Sequence, residues 1–107
     1  MIAMNEHNDQ LCLKLMSAYF EKCPNPYLQV EVIKILKSLQ DSIFPLPGNP
    51  GGWAAGIIYA LANQYRRACG IPGLLNKECE KFFDVSMGTI YKRATTIRKL
   101  LMSMRQL

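Results

Sequence analysis

A run of ten apolar residues, from Trp53 to Ala62, constrains this chain more than any other segment. A helix that is apolar on all sides is either buried among other helices or spans a membrane, and ten residues are about half of what a bilayer needs. The run therefore predicts a buried central helix, which we extend over 52–69 with Gly70 as its stop. Its alanines and Gly56 leave room for other helices to pack closely against it.

The rest of the chain also has a helical pattern. Apolar residues recur at spacings of three and four over 8–22 and 26–41, and no stretch alternates apolar and polar residues as strands do. Three prolines and three glycines within 44–52 predict a loop, since helices do not tolerate that density. We therefore expect one all-α domain of 107 residues, with a helical hairpin at 8–43 and the central and C-terminal helices in 53–107.

Two helices joined by a short turn are predicted near the C-terminus. Asn76 can cap a helix over 77–83, a tight turn follows at 84–85, and Ser86 can cap a second helix over 87–104. Such a pair is the helix-turn-helix unit. The positions that the crossing of two such helices would bury are all apolar: Cys79, Phe83, Val85, Ile90, Ala94 and Ile97. The expected fold class is an all-α bundle of five helices with a C-terminal helix-turn-helix.

The net charge of +5 belongs to the C-terminal end of the chain. Residues 1–50 carry four lysines against five acids, whereas residues 51–107 carry nine basic residues against three acids. After Asp84 there are five basic residues and no acid. A polarised basic end suggests a polyanionic partner, nucleic acid before membrane, although a solvated basic helix without any ligand has the same pattern.

The outward face of the last helix is the predicted functional site. If Ile90, Ala94 and Ile97 face the core, the opposite face carries threonines and basic residues in its first and middle turns. A helix fits the major groove of B-DNA with its first turns towards the base edges, so we predict a double-stranded DNA site here. The predicted site residues are Met87, Gly88 and Lys92 nearest the bases, and Thr89, Arg93, Thr96 and Lys99 at the backbone.

A protein-interaction module is the competing hypothesis. Glu78 and Glu80 place negative charge near the path of a DNA backbone, and Asp84 occupies a turn position usually taken by glycine because its backbone is left-handed. Under this competing hypothesis the basic face has no role in binding, and the partner is another protein or a second copy of the chain. The apolar residues available for such a contact at the C-terminus are Met102, Met104 and Leu107.

Two short motifs carry a resemblance to a known family. Residues 54–60 read Ala-Ala-Gly-Ile-Ile-Tyr-Ala, and residues 85–90 read Val-Ser-Met-Gly-Thr-Ile. They resemble Ala-Ala-x-Ile-Tyr-x-Ala in the central helix, and Val-Ser-x-x-Thr-Ile at the start of the DNA-facing helix, of one cyclin-box repeat of the transcription factor IIB family. The chain also looks like small uncharacterised prokaryotic domains of the same five-helix type.

This resemblance covers about half of the 107 residues, with one repeat where the family has two and no zinc ribbon. It implies a cyclin-like bundle with a DNA-binding or transcription-associated role. Cyclin boxes also serve as protein-docking modules, which the competing hypothesis requires.

Residues for catalysis or metal binding are sparse. The chain has a single histidine, His7, and no glycine-rich phosphate loop, nucleophile elbow or paired carboxylates. Its four cysteines are not spaced as zinc ligands. We therefore expect neither an enzyme nor a metal or other cofactor. The N-terminus has no signal-peptide pattern, which predicts a cytoplasmic protein with reduced thiols and no membrane association.

Overall fold

The structure is a computed structural model that describes residues 2–42, 46–64 and 69–105, with side chains between residues 8 and 104. Within these ranges the chain forms five helices. They are α1 (Ile2–Lys22), α2 (Pro26–Ser42), α3 (Pro50–Ala62), α4 (Asn76–Phe83) and α5 (Met87–Arg105). No β-strand occurs within these ranges, where a single bridge joins Ile71 and Leu74. The predicted all-α class is confirmed.

Helix α3 lies at the centre of the fold. Every residue from Gly51 to Leu61 is buried, and each of the other four helices packs against this helix. The indole Nε1 of Trp53 donates a hydrogen bond of 2.8 Å to the carbonyl oxygen of Pro47, so its polar atom is satisfied inside the core. The prediction of a buried central helix is confirmed, because a surface that is apolar all round needs partners all round.

Helix α3 begins earlier than the sequence pattern indicates. The loop predicted over 44–52 does not reach residue 52, since Asn49 caps a helix that starts at Pro50. Proline fits a first helical turn because its missing N–H has no partner there in any case. A side chain at Gly51 would collide with the carbonyl oxygen of Phe83, so glycine lets α3 and α4 approach closely.

Helix α3 also ends before Cys69, the predicted end. It stops at Ala62, and the next residue, Asn63, is its C-cap. The Asn63 side-chain nitrogen donates to the carbonyl oxygens of Tyr59, at 2.9 Å, and Gly70, at 2.7 Å. An asparagine amide that bonds the backbone in this way competes with continuation of the helix.

Helices α1 and α2 pack against α3 more than against each other. Helix α1 begins at Ile2, ahead of the apolar pattern that predicted a helix over 8–22. The side chain of Asn25 accepts the N–H of Leu28 at 3.1 Å, which confirms the predicted start of α2. Val30 belongs to the apolar pattern of 26–41 but is 52% exposed. The buried residues of α2 are Val32, Ile35, Leu36 and Leu39.

A buried carboxylate connects α1, α2 and the segment before α3. Asp9 is only 5% exposed, and its two oxygens accept hydrogen bonds from the Leu46 N–H at 3.2 Å and from the Gln40 side chain at 3.1 Å. These two hydrogen bonds therefore compensate for the burial of the Asp9 oxygens. Asp9 thus ties the backbone at Leu46 to helices α1 and α2.

All four cysteines are free thiols, of which Cys12 and Cys79 are buried, Cys23 is half-buried and Cys69 is exposed. Burial raises the pKa of the Cys12 thiol to about 12, and burial likewise raises the pKa of Cys79. Both thiols are therefore protonated at neutral pH. None of the helices in the described ranges has the length and hydropathy to cross a membrane.

Candidate nucleic-acid interface

Helices α4 and α5 are joined by a turn of three residues, 84–86. Asp84 adopts the left-handed conformation, with φ 53° and ψ 53°, and its N–H bonds to the carbonyl oxygen of Glu80. Aspartate reaches this region more readily than most residues, which explains why a turn that favours glycine forms here. The predicted helix, tight turn and helix are all present, although α4 starts at Asn76 itself, and Leu75 is its cap.

Side chains from both flanking elements satisfy the first backbone N–H groups of α5. The hydroxyl of Ser86 accepts the N–H of Thr89 at 3.3 Å, so Ser86 caps α5 as predicted. The carboxylate of Glu80 accepts the N–H of Met87 at 2.8 Å. Glu78 similarly accepts the N–H of Leu75 at 2.7 Å, at the start of α4. Glu78 and Glu80, whose negative charge argued against a DNA site in the sequence, therefore stabilise the first turns of α4 and α5.

The inward face of α5 packs on α3. Ile90, Ala94 and Ile97 are fully buried, as the helical period predicts. Met87 was predicted on the outward face near the bases, but only 9% of its surface is exposed and it belongs to the core. Residues three and four apart share one helical face, so Met87 lies on the same stripe as Ile90 and Ala94.

The outward face of α5 exposes three of the predicted residues, Gly88, Lys92 and Lys99. Thr89 and Thr96 are half-buried at one edge of this face. The Thr96 hydroxyl donates to the carbonyl oxygen of Lys92 at 3.3 Å. Thr89 accepts a hydrogen bond of 3.2 Å from Ser86. We call Gly88, Lys92, Thr96 and Lys99 the α5 outer face.

Arg93 was predicted with these residues but lies elsewhere. Its guanidinium carbon is 4.3 Å from the centre of the Trp53 ring, and its Nη2 donates to the carbonyl oxygen of Pro47 at 3.2 Å. Its Nε is buried without a hydrogen-bond partner. Arg93 is therefore half-buried and not fully outward-facing, because the cation–π contact with Trp53 and the Pro47 carbonyl hold its guanidinium against the core.

An aromatic cluster that the sequence pattern did not predict forms the other flank of α5. The rings of Tyr59 and Tyr91 meet edge to face with 5.5 Å between their centres, and the guanidinium carbon of Arg98 lies 5.6 Å from the centre of the Tyr59 ring. Tyr91 and Arg98 are seven residues apart and so share a face of α5. That spacing is the signal that could have placed them together.

The cations of the α5 outer face have no acidic partner. Within the described ranges, the single ion pair joins Lys34 and Glu31 on α2, with 3.8 Å between the Lys34 nitrogen and a Glu31 oxygen. Helix α5 packs mainly on α3 and α4, and the N-terminal helices leave its outer face uncovered. Arg66 and Arg67 fall within the central helix predicted over 52–69 and are outside the described residues. The result is an open basic surface on one side of α5.

No three histidine, cysteine, aspartate or glutamate side chains lie close enough together to hold a metal ion among the residues whose positions are described. Comparison of the chain with protein-family models, with curated proteins and with solved structures finds no match.

Proposed function

We propose that this protein binds double-stranded DNA through the α5 outer face, with α4 and α5 acting as a helix-turn-helix. One observation carries the proposal: Lys92 and Lys99 are exposed on one face of α5, without an ion pair, beyond the last acid of the chain. Seven residues correspond to about 10 Å along a helix, so the two lysines reach successive phosphates or a base and a phosphate. Their attraction to a polyanion is not cancelled locally.

The side chains of the outer face suit different parts of a duplex. Gly88 has no side chain in the first turn of α5, which allows the helix to approach the floor of the major groove. Lys92 lies one turn further along and can donate to guanine or to a phosphate. Thr96 and Lys99 then face the backbone, although the Thr96 hydroxyl must leave the Lys92 carbonyl before it can donate to a phosphate.

The broader role that we propose, a transcription-associated protein with a cyclin-like bundle, rests on the resemblance of residues 54–60 and 85–90 to the transcription factor IIB repeat. A central α3 with α4 and α5 packed against it is compatible with such a cyclin-like bundle. Recruitment of a polymerase does not follow, since the resemblance extends to one repeat.

The test is a salt titration of binding to duplex DNA of random sequence. Each phosphate contact contributes about 0.9 to the slope of log affinity against log salt. Lys92→Gln and Lys99→Gln should each reduce this slope by about 1. Lys14→Gln, on the exposed surface of α1, removes the same charge and should leave the slope unchanged. Equal slopes for all three variants, or no binding at low salt, would rule out the proposed interface.

A protein-interaction module is the second candidate, and the exposed apolar residues of α5 favour it. Tyr91 is 44%, Met102 60% and Met104 45% exposed. Tyr91 and Met102 share one side of α5, and exposed apolar surface of this kind is typical of protein contacts. Sedimentation analysis of the wild type and of Met102→Glu distinguishes the two candidates. A dimer that dissociates in the variant, together with absent DNA binding, would favour the interaction module.

A further inference from the structure

Arg93 is half-buried and contacts other elements, although it belongs to the most basic helix of the chain. Its side chain lies between α5, α3 and residues 46–49, which we call the clamp segment. We propose that Arg93 is a positioning residue: it holds the clamp segment against α3 and α5 and thereby fixes the start of α5, so that the outer face is presented in one orientation. This inference rests on the proposed function of that face.

The first contact is a carbonyl oxygen that two side chains share. Pro47 accepts one hydrogen bond from Trp53 Nε1 at 2.8 Å and another from Arg93 Nη2 at 3.2 Å. A carbonyl oxygen has two lone pairs, so it can accept both donors. The planar guanidinium also covers the Trp53 ring, at 4.3 Å from its centre. Arg93 thus contacts both Pro47 of the clamp segment and the Trp53 side chain of α3, and so connects the clamp segment to the core.

Glycines provide the space in which the Arg93 side chain lies. A Cβ atom at Gly48 would be 2.9 Å from Arg93 Nη2, one at Gly52 would be 3.6 Å from Arg93 Cγ, and one at Gly56 would be 2.6 Å from Arg93 Cβ. Each of these glycines therefore approaches a different part of the same side chain. The arginine is half-buried and meets a glycine near its base, its middle and its end, so its guanidinium is held in place and does not extend freely into solvent.

The second contact leads from the clamp segment to the turn before α5. Asn49 accepts the N–H of Gly51 at 2.8 Å through its side-chain oxygen and donates through its nitrogen to the carbonyl oxygen of Asp84 at 2.8 Å. Asp84 lies three residues before Met87, the first residue of α5. Arg93 and Asp84 therefore fix α5 to the same short segment at two points on either side of its first turn.

Loss of this arrangement should weaken DNA binding without removing a phosphate contact. If Arg93 no longer holds Pro47, the bond from Asn49 to Asp84 becomes easier to break, and the first turn of α5 gains freedom. A less preorganised surface binds more weakly because binding must then order it. The number of counterions released stays the same, since the phosphate contacts themselves are unchanged.

The experiment compares Arg93→Gln and Arg93→Lys with Arg98→Gln, a matched loss of charge on the exposed side of the same helix. Hydrogen exchange of the Gly51 amide, which depends on Asn49, reports on the clamp segment without DNA. We expect roughly tenfold faster exchange in Arg93→Gln, a smaller effect in Arg93→Lys and none in Arg98→Gln. Affinity for duplex DNA should fall severalfold in Arg93→Gln, with the same salt slope as the wild type.

The two readouts separate failure of this inference from failure of the proposed function. Unchanged Gly51 exchange in Arg93→Gln would overturn the positioning role, and so would a salt slope reduced by about 1, which indicates a direct phosphate contact. If Arg93→Gln does not fold, Arg93→Lys decides the matter, because it keeps the charge but loses the planar stacking and the forked donors. If the wild type does not bind DNA, the proposed function fails, and Gly51 exchange still shows whether Arg93 holds the clamp segment.

Discussion

The close approach of α3 and α5 at Gly56 leads to a strong prediction for the variant Gly56→Ala. A methyl group at this position would lie 2.6 Å from the Cβ of Arg93, 3.1 Å from the backbone nitrogen of Ala94 and 3.2 Å from the carbonyl carbon of Arg93. These atoms belong to the backbone of α5 or are attached directly to it. Rotation of a side chain therefore cannot relieve the collision, and the helices must separate.

The size of the effect follows from these distances. Carbon atoms in contact lie about 3.5–4.0 Å apart, so α5 has to move by about 1 Å at this point. Overpacking of a close-packed interior costs about 1–3 kcal/mol, and a shift of backbone belongs at the upper end, about 2–3 kcal/mol. Alanine recovers about 1 kcal/mol through its higher helix propensity. The net loss for Gly56→Ala is therefore about 1–2 kcal/mol, or roughly 4–10 °C in Tm.

Urea denaturation, followed by circular dichroism and by the fluorescence of Trp53, measures this loss. Gly88→Ala is the matched control, because an added Cβ at Gly88 comes no closer than 3.9 Å to its nearest neighbour, the Ser86 hydroxyl. That variant should be more stable than the wild type by about 0.5–1 kcal/mol. A Gly56→Ala protein as stable as Gly88→Ala would refute the close approach of the two helices.

Four further predictions concern the turn, the clamp segment and two of the thiols. The φ angle of Asp84 is +53°, a value that glycine adopts without strain, so Asp84→Gly should stabilise the protein by about 0.5–1 kcal/mol and Asp84→Ala should not. Thermal unfolding of both variants measures this difference. Asn49→Ala removes the cap of α3 and the bond to the turn, so urea denaturation should show a loss of about 1–2 kcal/mol. Burial raises the pKa of Cys12 to about 12, so above about pH 9 the unfolded chain releases a proton that the folded protein keeps. The free energy of unfolding should therefore fall as the pH rises from about 9 to 12, and it should fall less steeply in Cys12→Ala. Urea denaturation of both proteins across this pH range measures the difference. With Ellman's reagent at neutral pH, Cys69 should react at once and Cys12 only on unfolding.

Much of the fold can be predicted from local pattern. The apolar run from Trp53 to Ala62 identified the central helix, and the three- and four-residue spacings identified the helices around it. The turn at Asp84 and the cap at Ser86 are also local, because each depends on the chemistry of a few neighbouring residues. Errors fell at helix ends, as at Pro50 and Ala62, where bonds from Asn49 and Asn63 decide the boundary.

The candidate site was only partly predictable. The helical period correctly placed Lys92 and Lys99 outward, since these positions lie opposite the buried stripe. The prediction misplaced Met87, whose spacing of three from Ile90 in fact puts it on the buried stripe, and Arg93, which lies at the border of that stripe, where 100° per residue leaves the direction open. Which border residues turn inward depends on what the neighbouring helix offers them.

The sequence by itself therefore determined the all-α class, the buried central helix and the basic character of α5, because each follows from composition and period. Only the tertiary structure decided which basic residues of α5 are available to a partner. Arg93 and Lys92 are adjacent in the chain and carry the same charge, yet Arg93 lies over Trp53 and Lys92 faces solvent. The reason is physical: a guanidinium is drawn inward only where an aromatic ring, a carbonyl oxygen and the space left by glycines come together, and residues distant in sequence supply all three.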